Sequence, residues 1–307
     1  MEVVTRRRAW FNTLKGRRIA NAVTAYAFLA PWIVGFVMFT GGPILASMGL
    51  SLFRWKLIDT PRFVGLSNYN RMLFSDPLFV RSLGVTARYM LFAVPLTQIL
   101  ALGISVLLNQ RVRLLGMWRT IFYVPAVVSG VAGSVIWVWM YNRDLGIINS
   151  LLNHLGFDGP NWLFDTQYAM TAIIIRNLWN LGVPMVVYLA GLQGLPSSLY
   201  EAAEIDGAGA VARFWRITLP MLSSVIFFNL VMGIVGSVQI FTEPYIMTRG
   251  GPQNTTLFLG LYLYNTAFHY IEMGYASSMA WIMFIIILAL TLAQFRVASR
   301  WVYYESE

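Results

Sequence analysis

Residues 201–220 read EAAEIDGAGAVARFWRITLP, and this stretch decides how the chain is read. It sets Glu201, Glu204, Asp206, Arg213 and Arg216 between two long apolar runs, 177–200 and 217–242. Ser198-x-x-Glu201 has capping-box spacing, which predicts a short helix starting there. Glu201 lies near its N-terminus, where negative charge is favoured. Gly207 can take the left-handed conformation that stops a helix. A second helix is expected from near Gly209, with Phe214 and Ile217 at i, i+3 spacing and Arg213 and Arg216 near its end. Leu219-Pro220 then leads into the next run. The small pairs Ala202-Ala203 and Gly207-Ala208 let another backbone approach closely. Two short helices hinged at a glycine can carry force from another protein into a membrane bundle.

The surrounding composition agrees with a membrane setting. Of 307 residues, 58% are hydrophobic and 11% charged, whereas soluble domains carry about a quarter charged residues. The size suits one helical bundle, a single domain over 19–307 behind a cytoplasmic segment 1–18, with the polar loop at 197–220. The absence of cysteine excludes disulfides, thiolate metal sites and cysteine nucleophiles. His154 and His269 are too few for a histidine-based metal site. The net charge of +9 reads as topology signals flanking membrane spans, not as a nucleic-acid surface.

A spanning helix needs roughly 20 apolar residues. Charge-free runs of that length cover 19–53, 89–110, 120–142, 177–200, 217–242 and 273–295, predicting an all-α, polytopic protein with six transmembrane helices. Gly41-Gly42-Pro43 should kink or end the first. The basic start before a long apolar run reads as an uncleaved signal-anchor. The run 250–271 opens Gly-Gly-Pro-Gln-Asn and is rich in aromatics (Phe258, Tyr262, Tyr264, Phe268, Tyr270), which suits a loop plus a helix lying at the outer surface. Six spans put both termini on one side. That side holds Arg6, Arg7, Arg8, Lys15, Arg17, Arg18, Arg111, Arg113, Arg119, Arg213, Arg216, Arg296 and Arg300. The other holds fewer: Arg54, Lys56, Arg62, Arg71, Arg81, Arg88, Arg143 and Arg249. The positive-inside rule therefore places both termini and the 201–220 loop in the cytoplasm.

The loop resembles the EAA loop of permease subunits of binding-protein-dependent ABC importers. That pattern is E-A-A, three residues, G, nine residues, then I-x-L-P. Glu201-Ala202-Ala203, Gly207 and Ile217-x-Leu219-Pro220 match it. Leu189-Ala190-Gly191-Leu192-Gln193 and Leu195-Pro196 resemble the family's lead-in. Thr248-Arg249-Gly250-Gly251-Pro252 and Tyr262-x-Tyr264 resemble its carbohydrate-uptake branch, and within it the first permease of maltose or glycerol-3-phosphate systems. Ser224 departs from the pattern, standing near where many members carry another proline. The resemblance runs from Ala27 through nearly the whole chain. It implies that Glu201, Ala202, Ala203, Asp206, Gly207 and Ala208 seat in a groove of a cytoplasmic ATPase. It also implies partners: a related second permease in a heterodimer, two ABC ATPase subunits and an extracytoplasmic solute-binding protein. This chain has no G-x-x-x-x-G-K-[ST] phosphate cradle. ATP and Mg are thus expected on the partner ATPase, with no cofactor on this chain. The membrane would be the cytoplasmic membrane of a bacterium or archaeon.

Polar residues inside spans tend to face a cavity. Span four carries Arg176, Asn177 and Asn180 near its outer end, then Gly182 and Pro184; span five carries Asn229, Gly233, Gly236, Ser237 and Ile240 on one helical face by their spacing. Small and amide residues on one stripe suit a sugar, and equally suit close helix packing. The resemblance favours Asn177, Gly182, Gly233, Ser237 and Ile240 as pathway positions. The outer loop 55–81, with Phe63, Tyr69 and Phe74, is a candidate landing surface for a binding protein or a merely solvated loop. A secondary transporter would favour mid-span acids, which these runs lack; Glu243 and Glu272 sit near outer helix ends. A membrane-embedded enzyme would need a His, Asp or Glu cluster at the membrane face, and the sequence offers no such set.

Overall fold

The computed structural model describes residues 14–110 and 113–303; Arg6, Arg7, Arg8 and Arg111 of the charge argument lie outside them, as does most of segment 1–18. In chain order the elements begin with α1 (Leu14–Phe36), a π-helical turn (Val37–Gly41) and α2 (Gly42–Leu50). Two short strands follow, β1 (Phe53–Arg54) and β2 (Arg62–Phe63), then α3 (Ser67–Asn70) and a π-turn (Arg71–Ser75). Next come α4 (Pro77–Leu108), α5 (Leu115–Val127), α6 (Gly130–Met140), α7 (Ile147–His154), α8 (Ala169–Leu178) and α9 (Gly182–Gln193). The loop region holds α10 (Ser197–Ile205), α11 (Ala210–Arg213), a π-turn (Phe214–Thr218) and α12 (Leu219–Met221). The chain closes with α13 (Ser223–Val238), α14 (Thr242–Met247), α15 (Leu259–Tyr264), a π-turn (Asn265–His269) and α16 (Met273–Ala298). The strands pair antiparallel, with Phe53 opposite Phe63.

Among the described residues, four helical stretches are long and apolar enough to cross a bilayer: Asn21–Leu50, Pro77–Leu108, Ser223–Met247 and Met273–Ala298. Counting each of two bent pairs as one span, α5 with α6 at 100° and α8 with α9 at 43°, gives up to six. At about 1.5 Å per residue neither member of a pair reaches across a hydrocarbon core of about 30 Å alone. The corner between α5 and α6 has a local cause. Pro125 removes a backbone donor from the last turn of α5, Val128 is extended, and Ser129 caps α6 by accepting from Ala132 N–H at 3.3 Å. The apolar run 120–142 is therefore an angled pair, where the sequence suggests one straight helix. At the second bend Pro184 lacks the N–H that would bond the Asn180 carbonyl.

Other boundaries also move. The first apolar run does not end at Gly41-Gly42-Pro43. The helix changes pitch through Val37–Gly41 and continues, because Gly42 N–H bonds Val37 O and a Cβ at Gly42 would stand only 2.7 Å from that oxygen. The second span starts at Pro77, well before residue 89, so Arg81 and Arg88 lie on α4. Asp76 caps it, accepting from Leu78 N–H at 3.0 Å and Phe79 N–H at 3.2 Å.

The 250–271 run departs furthest from expectation. It is not a surface helix: Phe258, Leu259 and Leu261 are fully or almost fully buried, packed with Tyr89 of α4 and Met279 of α16. Leu259 N–H donates to Thr86 Oγ1 at 2.9 Å, and Tyr262 OH donates to Asp76 Oδ2 at 2.7 Å. Gly260 permits the approach, since a Cβ there would meet Ile240 O at 2.9 Å. Of the aromatics read as interfacial, only Phe268 and Tyr270 are exposed.

Two further cores complete the bundle. One gathers Ala101, Leu108, Met185, Tyr188 and Leu189 from α4 and α9; the other gathers Trp137, Tyr141, Leu163, Ala172 and Met247.

Candidate transport site: a helix–glycine–helix loop and a mid-bundle cavity

The 201–220 stretch forms the two arms expected. α10 ends in a Schellman motif: Ala208 N–H bonds Ala203 O at 2.8 Å, Gly207 N–H bonds Glu204 O at 3.0 Å, and Gly207 has φ +75°. Gly209 caps α11 in extended conformation. The capping box is not formed, because α10 begins at Ser197 behind Pro196 and no side chain caps it. The arms are tied by Arg213 Nη1 to Glu204 Oε2 at 3.4 Å and by the Tyr200 and Thr218 hydroxyls at 2.9 Å. The ion pair is largely solvated and contributes about 0–1 kcal/mol. Glu201, Ala202, Asp206 and Gly207 are exposed, Ala203 and Ala208 half-buried, as are Phe214 and Ile217. Ile205, Val211 and Trp215 project from the same loop, Ile205 at 87% exposure. Exposed large apolar side chains gathered on one loop are of the kind that mark protein or membrane contact surfaces.

The polar positions of spans four and five come together at a cavity of about 630 Å³. Asn177, Asn180, Asn229, Gly233, Ser237 and Ile240 all line it. Gly182 does not. It is buried against α5, where a Cβ would lie 2.9 Å from Phe122 O and from Tyr123 Cα, so it is a packing glycine at a helix crossing. α4 supplies lining that the sequence reading missed: Tyr89, Thr97 and Gln98. An amide in the middle of the apolar run 89–110, away from Asn109 and Gln110 at its end, was the available signal for Gln98.

These polar groups bond in separate sets, two of which tie α4 to its neighbours. Tyr188 OH donates to Gln98 Oε1 at 2.7 Å, and Gln98 Nε2 donates to Asn229 O at 3.1 Å. Asn177 Nδ2 donates to Thr97 Oγ1 at 3.1 Å. Gly233 leaves room for Gln98, whose Nε2 would lie 3.1 Å from a Cβ there. Ser237 donates to Ile234 O at 2.8 Å, a bond within its own helix. Glu243 also lines the cavity and is paired with Arg176, Oε1 to Nη1 2.8 Å. The charge at that helix end is thus enclosed and compensated instead of being merely solvated. Amides, hydroxyls and the faces of Tyr89, Phe228 and Phe241 can together hydrogen-bond and pack a polyhydroxylated solute. Among the described residues no three His, Asp or Glu side chains gather as a metal-binding group.

Comparison with known proteins places this architecture. Residues 77–303 match the family described as "Binding-protein-dependent transport system inner membrane component". The chain is 42% identical over 289 residues to the probable ABC transporter permease protein YesP of Bacillus subtilis (strain 168), covering 93% of each chain. It is 36% identical over 283 residues to the lactose transport system permease protein LacF of Rhizobium radiobacter, covering 90% of this chain and 94% of that one. In fold it is similar to a chain of a bacterial ABC transporter involved in the import of the acidic polysaccharide alginate. The TM-score is 0.79, at 24% identity, covering 92% of this chain and 98% of that one. A multi-pass apolar bundle, a hinged polar loop and a family match across most of its length lead to one conclusion: the chain belongs to the inner-membrane permease components of binding-protein-dependent ABC transport systems.

Proposed function

We propose that this permease is one half of the translocation pathway of an ATP-driven sugar importer, with an oligosaccharide or a related polyol or glycerol phosphate as its cargo. The observation that carries the reading is the cavity wall of Asn177, Asn180, Gln98 and Ser237 in the middle of an apolar bundle. Amides and hydroxyls within spans are rare and tend to face a cavity or a translocation path. The lactose permease LacF, similar over nearly its whole length, supports the sugar class.

In this reading Glu201, Ala202, Ala203, Asp206, Gly207 and Ala208 seat in a groove on a cytoplasmic ATPase. ATP and Mg bind and react on that partner. The complex holds a second related permease, two ATPase subunits and a solute-binding protein on the extracytoplasmic face. Both termini lie in the cytoplasm of a bacterium or archaeon. Closure of the ATPase pair moves the loop and biases a bundle with two stable arrangements, inward-facing and outward-facing. Glu201 to Gly207 would then be the point of force transfer, and the cavity the point of cargo passage.

The test is gentle extraction of the C-terminally tagged chain from native membranes. Mass spectrometry of co-purifying proteins comes first, followed by uptake of radiolabelled sugars into proteoliposomes loaded with Mg-ATP. A second permease and a P-loop ATPase in fixed ratio, with ATP-dependent uptake, are expected. A chain that purifies alone and transports without ATP would overturn the proposal.

A further inference from the structure

Three helix breaks meet at one side chain. α5 and α6 turn by 100°, α8 and α9 by 43°, and α13 gives way to α14 across residues 239–241. Arg176, in the last turn of α8, reaches the segments beyond the other two breaks. Its Nη1 lies 2.8 Å from Glu243 Oε1 on α14, and its Nη2 donates to the carbonyl of Gly130, first residue of α6, at 3.4 Å. Gly133 makes room for the guanidinium, which would stand 3.2 Å from a Cβ at that position. The Arg176 side chain is 4% exposed, and Glu243 is 19% exposed on the cavity wall.

Two features argue that this junction is more than packing. Arg176 Nε is buried without a hydrogen-bond partner, so the guanidinium is incompletely satisfied in this arrangement. A buried ion pair is also a poor source of stability, because desolvation offsets its attraction; its best-attested use is to set a register or a switch. The pair lies inside one of two packed blocks. α6, α8 and α14 contribute Trp137, Ala172 and Met247 to one core, while α4 and α9 contribute Ala101, Met185 and Tyr188 to another. The cavity draws its lining from both: Gln98 of α4 and Val187 of α9, Asn177 of α8 and Glu243 of α14.

We propose that Arg176 and Glu243 form a latch on the extracytoplasmic end of the cavity. Joined, as here, the pair holds α6, α8 and α14 as one block over the cavity. Released, it lets α14 part from α6 and opens the cavity outward. This rests on the membrane orientation given under the proposed function; only its ATPase readout uses the coupling. Arg176 and Glu243 are positioning residues in this scheme.

The chain contains no cysteine, so engineered thiols are unambiguous. A Cβ at Gly130 would lie 3.9 Å from Thr242 Cβ, within the range of about 3.5–4.5 Å that a disulfide spans. Gly130→Cys with Thr242→Cys therefore staples α6 to α14 and leaves the ion pair intact. In the assembled complex in proteoliposomes, oxidation is expected to reduce binding-protein-stimulated Mg-ATP hydrolysis about tenfold, restored by reductant, because the staple withholds the outward-open arrangement that the hydrolytic cycle passes through. Full hydrolysis by the cross-linked form overturns the latch.

A second measurement needs neither cargo nor ATPase. Gly236 lines the cavity, and a Cβ there meets nothing within 4 Å, so Gly236→Cys places a thiol on the wall without displacing a neighbour. Labelling of the full chain by a membrane-impermeant maleimide from the extracytoplasmic side should quicken about tenfold in Glu243→Gln, a modest population shift. It should stay slow in Glu243→Asp. An unchanged rate in Glu243→Gln overturns the latch. If labelling responds but no ATPase assembles on the chain, the latch stands and the importer reading falls.

Discussion

Tyr275 on α16 donates its hydroxyl to Asp76 Oδ2 at 2.5 Å, joining the last span to the residue that caps the second. Tyr262 donates to the same oxygen, and Arg71 stacks over the Tyr275 ring at 4.2 Å while pairing with Glu272 at 2.8 Å. One carboxylate thus fastens α4, α15 and α16 together.

The first prediction follows from that carboxylate. Burial, the largest single influence, pushes the Asp76 carboxyl up. Hydrogen bonds from Tyr275, Tyr262, Phe79 N–H and Leu78 N–H together outweigh it and hold the group below the usual carboxylate range. A depressed folded pKa gives stability that is present above the unfolded value, about 3.9, and is lost as pH falls through the folded one. Asp76→Asn should cost about 1–3 kcal/mol at neutral pH. Thermal unfolding in detergent checks both parts: the wild type should lose stability in acid, and the Asn variant should lack that component.

Gln98 is predicted to tie α4 to α9 and α13 at the cavity wall. Gln98→Leu leaves the buried Tyr188 hydroxyl without its acceptor and should destabilise by about 1–3 kcal/mol. Tyr188→Phe removes the donor as well, so the double variant should cost less than the sum of the singles. Equilibrium unfolding of the four proteins measures the coupling. Additive costs would show that the bond contributes nothing.

Gly207 should matter through its backbone. At φ +75° an L-residue is strained by about 1–2 kcal/mol, and the Schellman bonds of α10 depend on that conformation. Gly207→Asp is expected to abolish ATP-dependent uptake while the chain stays in the membrane. Wild-type uptake would remove the loop from the coupling path.

Gly182 and Asn177 separate packing from cavity. Gly182→Leu pushes a side chain into Phe122 O and Tyr123, an overpacking cost of about 1–3 kcal/mol, seen as a lower Tm. Asn177→Ala faces the cavity and leaves only Thr97 without its partner, so its effect should fall on uptake kinetics more than on Tm. Equal losses of Tm in the two variants would contradict this division.

The parts legible in the sequence are those set by short-range rules. Runs of apolar residues measure against bilayer thickness, which is why six crossings could be counted even where two are bent. Gly207 announced a helix end because glycine alone takes that conformation without strain, and α13 displayed its polar face because helical spacing puts residues 229, 233 and 237 on one stripe. What remained hidden depends on which neighbour a face meets. In a membrane, side chains are apolar toward lipid and toward the protein core alike, so hydrophobic pattern does not distinguish the two. Hence Phe258 and Leu259 read as an interface but are buried, and Gly182 read as pathway but packs against α5. Arg176 and Glu243, 67 positions apart by number, become a pair only when α8 and α14 are brought side by side at their helix breaks.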